Sequence, residues 1–324
     1  MAQRRSFEAL RVPAFRRYWT AQVISLTGTW THYAAQGWLV YSLSHSPFYL
    51  GLNGTALALP MLLFSYLGGH LADRLSKASL LRLFYTIASI PPLVLFFLTI
   101  TGLVTVWHCI VIGFLMGSIN ALEFPTRQTF LHEIVGSERI LNAVAMSSAA
   151  FNSSRMLGPL IAGLLIPKLG VSICFLINTI SFVPLVFVLG TISTEKTYQK
   201  TQKTSFKAGV VEVVRFIAAR KEVLVVIATV FVFSLLGLPY HHFLPVFADR
   251  VFGRGPEGLG MLMSAGGFGA LSAAVFLSFI GEPQNKRRYM AFSSAGFPLA
   301  LFLFALNKNF FFHFFSSGWQ DFLW

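Results

Sequence analysis

Apolar stretches of about 20 residues recur along this chain, separated by short polar turns, and they leave it few folds to choose from. A helix rising 1.5 Å per residue needs about 20 residues to cross roughly 30 Å of hydrocarbon. Cutting the sequence at its turn and charge signals predicts helices over 18–43, 48–72, 80–101, 105–124, 143–166 and 171–192, then 223–247, 259–280 and 289–306. Hydrophobic residues make up 55% of the 324 positions, charged residues only 11%, and there are 34 phenylalanines. So much apolar surface cannot be hidden in a water-soluble core. The expected fold class is all-α, a polytopic membrane helical bundle with the lipid bilayer as its first partner.

A formal charge of +13 would also suit a nucleic-acid-binding protein, so the placement of the cations decides. Twenty of the 25 lysines and arginines fall in the N-terminal tail and in alternate loops after it, whereas Lys168, Arg250 and Arg254 fall on the other side. This is membrane topology with a cytoplasmic N-terminus, and it excludes nucleic acid as a partner. The tail with Arg4, Arg5, Arg11, Arg16 and Arg17 precedes an apolar segment too long for a signal-peptide core, with no small-residue cleavage site after it. It reads as a cytoplasmic tail leading into a retained helix. The basic, polar stretch between the sixth and seventh helices divides the chain into 1–193, a linker over 194–222, and 223–324. Within the linker, residues 206–219 space apolar side chains at helical intervals, as an interfacial amphipathic helix or a solvated connection. Cys109 and Cys174 form no metal or redox motif and suit buried small apolar positions better than a disulfide.

An internal repeat supports two related parts. Pro47, Leu50 and Gly51 before the second helix recur as Pro256, Leu259 and Gly260 before the eighth. The same offset maps Asp73 onto Glu282, and a basic loop follows each. Repeats of this kind identify transporter folds.

Ionisable groups inside a bilayer are costly unless paired or hydrated, so they are functional candidates. Arg155 lies about 18 Å into the fifth helix at 1.5 Å per residue, near the middle of the membrane. It is a candidate for substrate contact or coupling, with a structural salt bridge as the alternative. His32 reaches a similar depth on the first helix together with Gln36 and Thr29, as a coupling residue or as a hydrogen-bonded structural histidine. Glu123 stands four residues before Arg127, where it either accepts protons or pairs with that arginine, and the adjacent Pro125 disturbs the spacing. His241 and His242 are adjacent, point about 100° apart and do not ligate one metal in a regular helix. Gly113 and Gly117 form a close-packing pair, and Gly158-Pro159 with Gly163 gives the fifth helix a bend and a close approach. No soluble catalytic motif is present: Gly253 and Gly258 have phosphate-loop spacing, but Leu259 stands where lysine is required. Neither an enzyme, a cofactor nor a metal site is expected.

The loop after the second helix contains Gly69, Leu71, Ala72, Asp73, Arg74 and Lys77. It resembles the loop between helices two and three of the major facilitator superfamily, G-x-L-A-D-R-x-G-R-K, with Ser76 and Ala78 as departures. Phe124 to Leu131, Leu141-Asn142-Ala143, Phe151 to Pro159 and the opening Phe15-Arg16-Arg17-Tyr18-Trp19 narrow the resemblance to its enterobactin-exporter-like, transmembrane secretion effector branch. The resemblance implies a monomer of twelve helices in two pseudo-symmetric halves, working by alternating access in a bacterial inner membrane. It implies proton-driven export, as an antiporter, of a siderophore or a hydrophobic drug. It further assigns conformational gating to Gly69, Asp73, Arg74, Lys77, Arg127, Gly158 and Pro159, with Asp73 as part of a cytoplasmic latch. About nine of twelve helices are legible, and the expectation is a C-terminally truncated product. A non-transporting membrane protein and a channel or receptor-like protein are the alternatives.

Overall fold

Prolines and glycines cut the chain into its helices. The computed structural model describes residues 7–192, 220–237 and 239–280, with Arg215, Gly296 and Phe302. A 3-10 turn, Glu8–Arg11, leads into α1 (Pro13–Ser44), followed by α2 (Pro47–Arg74), α3 (Lys77–Ala88) and α4 (Ile90–Ile100). Then come α5 (Val106–Val135), α6 (Ile140–Leu169) and α7 (Ser172–Thr191). A second set comprises α8 (Lys221–Leu236), α9 (Tyr240–Val246), a π-helical turn at Phe247–Val251, and α10 (Gly255–Ile280). Among the described residues there is no strand. The linker stretch 206–219, apart from helical Arg215, and the helix expected over 289–306, apart from helical Gly296 and Phe302, lie outside the described residues.

Pro13 and Pro47 open α1 and α2, where the missing N–H would be unbonded anyway. Between them His45 turns left-handed at φ 47° and its N–H closes α1 on the Tyr41 carbonyl at 2.7 Å. Three further turns, at Gly102, Gly136 and Gly170, need φ values of 72°, 73° and 82°, which glycine adopts without strain.

Three boundaries differ from the sequence expectation. The segment 80–101 is not one helix but α3 and α4, broken at Ser89, because Pro91 and Pro92 cannot donate to the carbonyls of Ile87 and Ala88. The two pieces still make one membrane span, Lys77–Ile100. Over 223–247 the chain breaks at Gly237 and Pro239, and Pro245 withdraws another donor just before the π-helical turn. The helix expected to end at 124 continues as α5 to Val135. Pro125 fits because Gly68 of α2 lies against it: a side chain there would start 2.8 Å from the Pro125 ring and from Leu122.

Among the described residues, five segments are long and apolar enough to cross a membrane: Pro47–Ala72, Lys77–Ile100, Val106–Val135, Ile140–Leu169 and Ser172–Thr191. Their outward faces carry exposed Leu62, Leu63, Phe97, Val183 and Phe187. The interior holds Gln22, Ser25, Thr31, His32, Gln36, Asn53, Glu123 and Asn178 instead. Apolar side chains outside and polar groups inside is the distribution that lipid imposes. The chain is a multi-pass membrane protein.

Helix α1 is the hub, packed against α2, α5, α6 and α7. At one end of the bundle the Ala9 N–H donates to Asn142 Oδ1 (2.9 Å) and Lys77 Nζ meets Glu133 Oε1 (2.6 Å). This basic end carries the N-terminal turn and the α2–α3 and α5–α6 connections. The opposite end gathers the α1–α2 turn, the start of α5 and the π-helical turn, where the rings of Tyr49 and Trp107 meet edge-on at 6.2 Å. Cys109 and Cys174 are separate, buried thiols.

Candidate functional site

Small residues bring three helices together around Arg155. On one side of α6, Gly158 presses against α1, so that a side chain there would start 2.8 Å from the Thr31 nitrogen. Thr31 Oγ1 donates to the Gly158 carbonyl (3.1 Å), and Thr27 Oγ1 donates to Ser154 Oγ (3.1 Å). On the other side α6 meets α10: a Cβ on Gly260 would stand 2.6 Å from the Pro159 carbonyl oxygen, and one on Gly267 would stand 2.6 Å from the Met156 nitrogen. Ser264 Oγ donates to the Met156 carbonyl at 2.7 Å. Small-residue contacts of this kind replace the hydrophobic driving force that lipid removes.

Between these helices lies a cavity of about 380 Å³. Trp30, Tyr33 and Phe151 form an aromatic wall, Gln36 and Asn53 an amide pair, and Arg155, His241 and His242 the ionisable lining. Arg155 Nη2 lies 2.9 Å from His241 Nε2. A guanidinium only donates, so Nε2 is the acceptor and the ring proton sits on Nδ1. The same guanidinium lies 5.9 Å from the Trp30 ring centre. His242 diverges from His241, as adjacent helical residues must, and packs on α2 at Gly54, where a Cβ would lie 2.7 Å from its ring.

A second, smaller cavity of about 110 Å³ shares Trp30, Tyr33 and Phe151 with the first. It reaches toward the basic end and is lined by Gln22, Ser25, Asn120, Glu123 and Arg127 among others. Here Tyr85 donates its hydroxyl to Glu123 Oε1 at 2.5 Å, and Arg127 Nε lies 3.0 Å from the same oxygen. That contact is an ion pair whose N–H is not aligned for a hydrogen bond. Arg127 also stands 5.5 Å from the Phe124 ring centre.

His32 does not line the large cavity. It is fully buried, and its Nε2 donates to Gln36 Oε1 at 2.8 Å, while Gln36 Nε2 donates to Asn53 Oδ1 and to the Cys109 carbonyl, both at 2.8 Å. The chain His32–Gln36–Asn53 thus ties α1 to α2 and α5, and Gln36 spends its polar capacity on protein partners.

The residues singled out for gating at the basic end disperse. Nothing lies within 4 Å of where a Gly69 side chain would begin, whereas Gly68 carries the close packing. Arg74 is exposed, Lys77 pairs with Glu133, and Arg127 turns to Glu123. The side chain of Asp73 lies outside the described residues.

Sequence reasoning missed a clasp at the opposite end. Tyr41 donates its hydroxyl to Asp249 Oδ2 (3.0 Å), and Arg250 Nη2 donates to the His45 carbonyl (2.6 Å) while standing 6.0 Å from the Tyr41 ring centre. The signal available was the acidic–basic pair Asp249-Arg250 at the end of a proline-broken helix.

A bundle of membrane helices packed around a mostly apolar cavity with a few polar groups in its lining is a fold with recognisable relatives. The description of the transmembrane secretion effector family matches residues 4–316, and the chain belongs to that family, a branch of the major facilitator superfamily. The staphyloferrin A transporter of Staphylococcus aureus is 24% identical over 268 residues, 80% of this chain and 66% of that protein. The uncharacterized MFS-type transporter YfiS of Bacillus subtilis is 27% identical over 285 residues, 85% of this chain and 65% of its own length. The chain therefore spans just under two thirds of the curated relatives it matches. The crystal structure of the nucleoside transporter NupG superimposes with a TM-score of 0.66 at 12% identity, covering 96% of this chain and 80% of that one, which is a likeness of fold.

Proposed function

We propose that the protein is a secondary active transporter that exports a small molecule by alternating access, with protons as the coupling ion. Residues 1–193 form the first half, 194–222 a cytoplasmic linker and 223–324 belong to the second half, in a bacterial cytoplasmic membrane with the N-terminus inside. The observation that carries this reading is the cavity of about 380 Å³ between the two sets of helices, of the size that small molecules occupy. It lies between α1, α2 and α6 on one side and α9 and α10 on the other, behind the clasp of Tyr41, His45, Asp249 and Arg250. Alternating access requires such a midplane site at the interface of two repeats. The staphyloferrin A transporter among its relatives supports a siderophore as cargo, beside hydrophobic drug-like molecules.

In this reading Arg155 contacts substrate, Glu123 is the coupling acid, and His32 with Gln36 holds α1 in register against α2 and α5. Gly158 and Pro159 form the pivot of α6, and Gly69, Asp73, Arg74, Lys77 and Arg127 gate the basic end. The test is efflux from bacterial cells that express the full chain, loaded with a panel of siderophores and dyes. Proton-gradient-dependent efflux is expected for at least one compound, and Arg155→Ala reduces it at equal protein level. Efflux that is absent, or that persists unchanged in Arg155→Ala, contradicts the proposal.

A further inference from the structure

A groove of about 510 Å³ runs along the outside of the bundle between α3 and α7. The two helices are antiparallel: Arg82 in the second turn of α3 meets Gly190 near the end of α7, and further along the Tyr85 ring stacks on Phe182 at 6.1 Å. From Arg82 the groove reaches about 10 Å to Ser89, where α3 breaks. Val183, Val186 and Phe187 wall it on the α7 side, and Val183 and Phe187 are 61% and 73% exposed. Helices α3 and α7 turn their other sides to α1, α4, α5 and α6 of the first set, so the open side of the groove meets lipid.

Among the described residues that line this groove, Arg82 is the one charge, and no carboxylate stands with it. It is exposed and lies about 8 Å from the start of α3 at Lys77, at the depth of the headgroups on the basic end of the bundle. Gly190 leaves its guanidinium room: a Cβ there would begin 3.3 Å from Arg82 Cζ and Nη1. The hydroxyls beside it donate within their own helices, Thr86 Oγ1 to the Arg82 carbonyl (2.8 Å), Ser89 Oγ to the Thr86 carbonyl (2.7 Å) and Thr191 Oγ1 to the Val188 carbonyl (2.8 Å). A fork of charged donors at the mouth of an apolar trough matches a phosphodiester with an acyl chain beneath it. From this complementarity of charge and polarity we infer that the groove seats one anionic phospholipid, its phosphate on Arg82 and an acyl chain along Val183, Val186 and Phe187. The seat requires the membrane fold alone and is independent of transport.

The test offers the detergent-purified full chain equal amounts of dioleoyl phosphatidylglycerol and dioleoyl phosphatidylcholine, which share their tails, and counts retained lipid by native mass spectrometry. Phosphatidylglycerol is expected to be retained about fivefold over phosphatidylcholine, the usual effect of one arginine on an anionic headgroup. Arg82→Gln should make the two lipids equal, and Arg82→Lys should keep part of the preference. Arg139→Gln removes an exposed cation that does not line the groove, and should leave the preference unchanged. A phosphatidylglycerol with a photoreactive diazirine in its acyl chain should label residues 182–187 of the wild type and lose that labelling in Arg82→Gln. Millimolar inorganic phosphate should not release the lipid; release would assign the site to the free anion and overturn the inference. Equal retention of the two lipids by the wild type, a preference that survives Arg82→Gln or falls equally in Arg139→Gln, labelling confined to other helices, or a lipid-free dimer of the chain would also overturn it.

Discussion

Among the described residues, two arginines face the interior of the bundle, and they are treated differently. Arg127 faces Glu123 at 3.0 Å, four residues before it on α5, and Tyr85 completes the carboxylate from α3. Arg155 lies against the imidazole of His241 and the face of Trp30, in a cavity more than three times the volume of the one beside Arg127. One cation is paired with a carboxylate within its own set of helices; the other lines a cavity and joins the two sets through His241. The difference teaches that an arginine at membrane depth does not define a function by itself. The groups that face it decide which elements of the fold it ties together.

The largest expected effect is on the first arginine. Glu123→Ala leaves Arg127 buried opposite a hydroxyl, and the loss should be about 3 kcal/mol or more, the cost of breaking a buried pair. Thermal unfolding of the detergent-purified protein measures it. Arg155→Gln removes the donor to His241 Nε2 without stranding a buried charge, and should cost about 1–2 kcal/mol. Equal losses for the two variants would erase the distinction between the sites.

Next in size is the seam that forms the Arg155 cavity. Gly260→Val places a branched side chain where even a Cβ would stand 2.6 Å from the Pro159 carbonyl. Overpacking of that kind costs about 1–3 kcal/mol, and here it should separate α6 from α10. The check is oxidative cross-linking of cysteines placed at Leu164 and Met261, which should fall severalfold in the variant. Gly69→Ala, with nothing within 4 Å, should leave stability unchanged within about 0.5 kcal/mol.

Smaller effects belong to the two ends. Tyr41→Phe removes the hydroxyl that Asp249 accepts, worth about 1 kcal/mol. Labelling of a cysteine at Asn53 by an impermeant thiol reagent from the opposite end should rise severalfold, and unchanged labelling would mean that the clasp does not close the cavity. At the basic end, Lys77→Gln breaks a partly exposed pair with Glu133 and should cost about 0.5 kcal/mol or less.

The spans were legible because lipid demands long apolar helices, and the charge of alternate loops followed them. Arg155 was legible for the same reason, as a charge at membrane depth. Glu123 and Arg127 announced themselves at i, i+4, and the pairing survives Pro125 because Gly68 makes room for the proline ring. His241 was visible as a residue but not as the partner of Arg155, since that contact joins positions 86 apart through packing that no local pattern records. The clasp escaped for the same reason, joining α1 to the turn after α9. The breaks at Ser89 and Gly237 were written in Pro91, Pro92 and Pro239, yet hydropathy runs smoothly through all three. The register of the glycines misled in one detail: the motif drew attention to Gly69, while packing against Leu122 and Pro125 falls on Gly68.

The claim that separates the two arginines is tested most directly by double-mutant cycles on the thermal unfolding of the detergent-purified full chain, one for Glu123 with Arg127 and one for Arg155 with His241. The account predicts a coupling of about 2 kcal/mol or more for the first pair and a smaller one for the second. Equal couplings, or none between Glu123 and Arg127, would contradict it.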